Sequence, residues 1–315
     1  MADRIAAVVV TYNRKVLLGE CLDGLLRQTR PLDAIFILDN ASTDGTEDFL
    51  KNHGYLRQER IQYIRLRSNT GGAGGFHAGL RCAFEAGYDW FWLMDDDVEP
   101  FPNGLEQLLY YRKNSECIHG RRRNPDQSPT EWREAFDPRT VTCSHVADLD
   151  FSSSQRYRQM NVGCFEGMLV SRHVIELVGL PDPQFFIVHD DTFFGYLASQ
   201  ITDVLYVNAF TLQRKRAVES VRLPVLNKRI CYRLGPNTLY YFSRNRFLIA
   251  KLLGNYSLPF IAASLRVLFV SLFRELVLVR SIRSAGAVIR GFWDGARLWA
   301  RPSASHSNGT TTLQL

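Results

Sequence analysis

Hydrophobic positions in the first hundred residues follow two alternating patterns. Short apolar or β-branched runs at residues 5–10, 34–38, 61–66 and 90–94 predict strands. Between them, residues 16–28 place Leu18, Cys21, Leu22, Leu25 and Leu26 at helical spacing, and residues 76–86 repeat that period. Asp44, followed three residues later by Glu47, has the form of a capping pair opening a short helix to Asn52. Strand and helix alternating this densely predict an α/β fold with a doubly wound, mostly parallel sheet. Ligands of such sheets bind at the carboxyl ends of the strands.

The pattern fades from Tyr110 to about Ser154, where RRRNPDQSPTEWRE is full of breakers. That composition predicts a long irregular connection over the site, with Arg121, Arg122 and Arg123 as a solvated run rather than a phosphate clamp. Order resumes over residues 163–178. Residues 240–301 read as helical throughout and 303–315 as a frayed tail. The expected division is a nucleotide-binding and catalytic domain at 1–235, a basic helical region at 236–302 and a disordered tail at 303–315.

Composition narrows the class. The 315 residues are 46% hydrophobic and 22% charged, ordinary for a globular chain with a sizeable core. Six cysteines without a CxxC pair predict reduced core thiols, neither a disulfide framework nor a zinc site. The opening apolar run is too short for a secretory leader and reads as a strand. The net charge of +6 is concentrated near the end: residues 255–301 hold seven arginines against Glu275 and Asp294, about +5 by subtraction. Without an aromatic–basic motif, nucleic acid is excluded as a partner. Residues 258–279 are strongly apolar but interrupted by Arg266, Arg274 and Glu275, so no uncharged run reaches spanning length. Arg283, Arg290, Arg297 and Arg301 share one side of a helix, opposite Ile289, Phe292 and Trp293, with Trp299 at the boundary. That pattern predicts an interfacial helix on an anionic membrane surface.

Three polar clusters fall at strand ends. The segment DNASTD (39–44) has turn chemistry. The segment NTGGAGGF (69–76) predicts a glycine loop that lets backbone approach a ligand, with a helix N-terminus beyond; it is neither GxGxxG nor a P-loop. Third come Asp95, Asp96 and Asp97. Adjacent carboxylates repel, so the cluster requires a cation. In extended backbone Asp95 and Asp97 share a face, which suits Mg²⁺ or Mn²⁺ completed by phosphate oxygens. A second acidic pair, Asp190 and Asp191, offers a base for a hydroxyl nucleophile.

Together TYNR (11–14), DNASTDGT (39–46), NTGGAGGF (69–76) and WLMDDDVEP (92–100) resemble an inverting family 2 glycosyltransferase of GT-A fold, over roughly residues 5–210. Within that family the glycines and triple aspartate most resemble bacterial galactofuranosyltransferases, with rhamnosyltransferases as near relatives. The resemblance implies that Thr11, Asn13 and Arg14 contact the nucleotide and that Asp39 hydrogen-bonds the uracil. Asn69, Gly71, Gly72 and Gly75 would lie along the nucleotide-sugar. Asp95 and Asp97 would hold ribose, diphosphate and metal, with Asp96 bracing the turn or a donor hydroxyl. Asp191 would deprotonate the acceptor hydroxyl, while Asp190, Glu166 and His189 would meet the acceptor. The implied activity is transfer of galactofuranose from UDP-galactofuranose to a glycan or lipid-linked acceptor, by a cytoplasmic protein peripheral on the inner face of the cell membrane. The alternatives are dTDP-rhamnose transfer and a non-catalytic nucleotide-sugar-binding scaffold at the membrane. Two departures from the family pattern stand out. Phe193 occupies the position of a further acid, and no histidine follows about twenty residues after the base, where Gln213 or Arg214 falls instead and Arg214 or Lys215 offers cationic charge in its place.

Overall fold

The computed structural model describes residues 3–130, 134–145, 151, 155–217, 220–223, 228–232 and 234–301. They form two compact units, residues 1–137 with 142–233, and residues 138–141 with 234–315. The tail expected at 303–315 lies outside the described residues, as does part of the 110–154 connection.

The first unit is built on strand β1 (Ile5–Thr11), all seven residues of which are buried. Ile5, Ala7 and Val9 enter one core with Leu18, Leu22 and Leu25 of α1 (Lys15–Leu26). Ala6, Val8 and Val10 enter a second core with Phe76 and Leu80 of α3 (Gly71–Glu85). A strand covered on both faces has no polar side, which is why it reads as an unbroken apolar run. Chain order continues through β2 (Ala34–Asp39), α2 (Thr46–Asn52), β3 (Ile61–Arg65), β4 (Trp90–Asp95), β5 (Val98–Pro100), α4 (Gly104–Leu109), β6 (Cys117–Arg123), β7 (Pro129–Thr130), β8 (Glu134–Asp137), β9 (Thr142–His145), β10 (Tyr157–Met160), β11 (Met168–Ser171), α5 (Arg172–Val178), α6 (Asp190–Ala198), β12 (Val204–Arg214), β13 (Ser220–Leu223) and β14 (Lys228–Tyr232).

The sheet runs β10-β12-β6-β11-β4-β1-β2-β3, with β5 on β12 and β7 on β6. Strands β3, β2, β1 and β4 are parallel, as the alternation predicts. The second half departs from that expectation: β11 pairs antiparallel with both β4 and β6, so the sheet is mixed. Three local expectations are also corrected. Strand β6, within the supposed irregular connection, is an interior strand between β11 and β12. Asp44 does not cap α2. Gly45, at φ 81°, holds that position, and the Asp44 carboxylate accepts from the Lys15 N–H at 3.2 Å and the Thr46 hydroxyl at 2.5 Å. The glycine run is not a loop but the first turns of α3. A Cβ on Gly75 would press into Val10 of β1, so the glycine lets the helix sit close on the sheet.

The second unit holds α7 (Pro236–Leu252), α8 (Leu258–Phe273), a π-helical turn (Arg274–Leu278) and α9 (Ile282–Ala300). Helix α9 buries Ser284, Ala285, Ala287, Val288, Gly291 and Gly295, and Gly291 lies against the Tyr240 carbonyl of α7. The face expected from sequence is therefore only partly apolar. Phe292 packs on Phe247, whereas Ile289 and Trp293 are exposed beside the arginines. Trp299 turns inward, donating to the Asn255 carbonyl at 3.0 Å and packing on Phe260. Among the described residues no helix is long and apolar enough to cross a membrane. Cys21, Cys82, Cys117 and Cys164 are free thiols, and Cys143 is exposed rather than in the core.

Candidate active site

Strands β1, β2 and β4 end side by side, with Thr11 paired in register to Asp39 and Val10 to Asp95. Their loops are tied by side chains. The Thr11 hydroxyl, buried, donates to Asp96 at 2.6 Å, and Arg14 bridges Asp96 at 3.0 Å and Asp97 at 2.9 Å. Asn13, at φ 55°, donates its N–H to the Ser42 hydroxyl and accepts from the Thr43 N–H. Asn is among the few residues that adopt this conformation readily. Asp39 is buried, one oxygen accepting from Ser42 N–H at 2.7 Å and the other from the Tyr63 hydroxyl at 2.6 Å. Burial and that hydrogen bond push the Tyr63 pKa up, so it stays a donor. Asn40 donates to the Gly71 carbonyl and accepts from Thr70, while Asn69 caps the Gly71 N–H at 2.8 Å. Gly71 is buried against the Phe186 carbonyl, and Gly72 faces open space.

The three aspartates differ in charge balance. Asp96 is buried, and Asp95 and Asp97 are partly buried, as alternation in an extended segment requires. Asp96 and Asp97 share Arg14, but the Asp95 carboxylate makes no hydrogen bond or ion pair among the described residues. Burial first, then repulsion from Asp97, Glu166 and Asp96, pushes its pKa well above the ordinary carboxylate range. The cluster is short of positive charge, and that deficit fits a divalent cation. The described residues contain no set of three histidine, cysteine or acidic side chains that could hold a metal. The residues that could hold one are the carboxylates Asp95 and Asp97, a pair of the kind that phosphate oxygens and water complete.

Segment 163–167 joins this cluster to the second acidic pair. Gly167 donates to the Leu93 carbonyl at 2.9 Å, which sets Glu166 beside the end of β4. Glu166, its side chain 10% exposed, lies between Arg122 of β6 and Arg214 of β12, both of which donate to it. Burial alone would raise its pKa, but the two guanidinium groups hold it below the usual value. Arg122, buried, is therefore the centre of an ion pair and not a solvated residue. Arg121 and Arg123 lie over the Phe210 ring, which corrects the solvated reading for the whole run. Lys215 is held by Glu20 at 2.7 Å and Glu99 at 2.8 Å, and Arg214 by Glu166, so each cation already has a carboxylate.

At the other end of the segment, Gly163 packs on Gly195 and on the Asp191 carbonyl. Asp190 and Asp191 form the first turn of α6, after a stretch in which Phe186, Val188 and His189 all have positive φ. For a β-branched residue such as Val188 that conformation is strained. The Phe186 carbonyl accepts from Ala73 N–H at 3.1 Å, fastening this stretch to the glycine turns of α3. Asp191 accepts from its neighbour Thr192 N–H at 2.6 Å. Burial, then the adjacent Asp191, raises the pKa of Asp190. Phe193 is buried and stacks on Phe185, so a core side chain stands where a further acid was expected. Arg122, Tyr63 and Cys164 were not anticipated. Each is recognised only through a partner distant in sequence: Glu166, Asp39 and, for Cys164, Arg122 at 3.4 Å.

A half-parallel sheet covered on both faces, with carboxylates gathered at the carboxyl ends of its strands, defines a GT-A-like α/β protein. The chain belongs to glycosyl transferase family 2, whose family model matches residues 6–175. It is 27% identical over 198 residues to galactofuranosyltransferase GlfT1 of Mycolicibacterium smegmatis, covering 59% of this chain and 62% of that relative. The chain thus spans less than two thirds of that protein's length. It is 22% identical over 259 residues to the dTDP-rhamnosyl transferase RfbF of Shigella flexneri, covering 80% of this chain and 81% of RfbF. Among solved structures, S. aureus TarS 1-349 in complex with UDP-GlcNAc superposes with a TM-score of 0.58 over 93% of this chain and 81% of TarS 1-349. At 12% identity that likeness speaks for the fold.

Proposed function

We propose that the chain transfers a sugar from a nucleotide-sugar to a hydroxyl of a glycan or lipid-linked acceptor, with inversion, at the inner face of the cell membrane. One observation carries this reading: the unneutralised Asp95 at the end of β4 and the Asp190–Asp191 pair belong to one assembly linked by segment 163–167. Thr11, Asn13, Arg14 and Asp39 line the nucleotide end, and the α3 glycines lie along the sugar. Asp191 takes the proton of the acceptor hydroxyl as its oxygen bonds to the anomeric carbon and the bond to the diphosphate breaks. Asp190, Glu166 and His189 border the acceptor side. Mg²⁺ or Mn²⁺ held by Asp95 and Asp97 would supply counter-charge to the departing diphosphate.

Likeness to GlfT1 supports UDP-galactofuranose as donor. The longer alignment to RfbF supports dTDP-rhamnose as a second reading. Turnover with each donor and a Mn²⁺ series decides between them. Asp191→Asn is expected to abolish transfer while leaving UDP affinity unchanged. Residual turnover near wild type would remove Asp191 from the role of base.

A further inference from the structure

Helix α8 is amphipathic in the wrong sense for a helix facing water. Its polar residues Ser264 and Ser271 are buried, as is Glu275 of the π turn that continues it. Arg246 donates to Ser264 at 3.5 Å, and Arg274 donates to Glu275 at 2.7 Å. The outward side instead carries Leu258 (79% exposed), Ile261, Leu265, Phe269 (68%) and Phe273 (59%), repeating every three to four residues. Leu276 and Val277 prolong the stripe, and Ile282 (83%) begins α9 beside it. Exposed apolar surface of this length, ordered along one helix face, marks a docking surface.

We infer that this face of α8 and the π turn lies in the surface of an anionic lipid bilayer. Charge chooses the occupant. Arg266, Arg280, Arg283 and Arg290 are exposed, and Glu275, the single acid between residues 254 and 293, is buried. A second copy docking through the same face would oppose like charges across a two-fold axis. An anionic headgroup layer attracts the same arginines while the stripe enters the acyl boundary. Arg266, Arg274 and Glu275 interrupt the apolar run, and no described helix is long and apolar enough to cross a membrane, so the helix lies in the plane.

The inference deepens the membrane placement proposed above without depending on sugar transfer, and its test uses no sugar. The full chain is sedimented with vesicles of phosphatidylcholine alone, or of phosphatidylcholine mixed with phosphatidylglycerol. Wild type is expected to pellet with the mixed vesicles and to be partly released by salt. Phe269→Glu with Phe273→Glu should lower partitioning at least about tenfold at unchanged melting temperature, since both side chains are exposed. Arg266→Gln with Arg283→Gln and Arg290→Gln should lose only the preference for anionic vesicles. Wild type remaining in the supernatant, or full binding by the Phe269/Phe273 variant, overturns the inference. So does a lipid-free dimer that the Phe269/Phe273 variant dissolves, which would assign the face to a second copy.

Discussion

Asp95, Asp96 and Asp97 are consecutive yet differ in what neutralises them, and the same contrast separates Glu166 from Asp190. Glu166 lies between two guanidinium groups, and its lowered pKa means the folded state favours its charged form. Its contribution to stability is present above the ordinary carboxylate value of 4.5 and is lost as pH falls. Glu166→Gln leaves Arg122 and Arg214 uncompensated and should cost about 3–5 kcal/mol near neutral pH. Urea unfolding should show that gap closing in acid. Asp190 has the opposite sign. Its raised pKa means the charged form is disfavoured in the fold, so stability is full below the ordinary value of 3.8 and declines as pH rises toward the folded-state value. Asp190→Asn should therefore melt like wild type in acid and above it at alkaline pH. A variant less stable than wild type at every pH would mean that Asp190 is held by partners rather than opposed by Asp191.

At the scale of elements, legibility followed the distance to each residue's partners. Strands β1 to β4 are apolar because helices of the same βα units cover them, so local pattern was enough to find them. Strand β6, CIHGRRR, sits inside the sheet but shows no apolar alternation, because its arginines are accommodated by Glu166, Phe210 and Asn208 from later in the chain. The acidic site was legible because like charges at a strand end need a reason. The glycine helix was not, since glycine disfavours helix locally and only the closeness of β1 requires it. Two substitutions separate these demands. Gly75→Val meets Val10 and should cost about 1–3 kcal/mol by overpacking. Gly72→Ala enters open space and should stabilise by up to about 1 kcal/mol. If Gly72 lies along the donor, the same alanine weakens UDP-sugar binding despite the gain, and titration calorimetry beside thermal melts reads both.

For the molecule as a whole, chemistry and charge are segregated between the two compact units. Carboxylates and their counter-arginines occupy the first, and seven arginines with an outward apolar stripe occupy residues 255–301 of the second. Each unit should therefore answer to a different ligand. A donor at about one hundred times its Kd stabilises the state that binds it by about 2.7 kcal/mol, which slows amide exchange through that state's opening about a hundredfold. Hydrogen exchange with UDP and Mn²⁺ is expected to slow at residues 5–14, 39–46 and 90–97 and to leave residues 258–278 unchanged. Vesicles containing phosphatidylglycerol should reverse the pattern, protecting residues 258–278 and leaving the strand ends as they were. Protection of the strand ends without Mn²⁺ would mean that donor binding needs no metal on Asp95 and Asp97. Absence of protection there under every donor would leave a transferase fold without donor binding, which is the scaffold alternative.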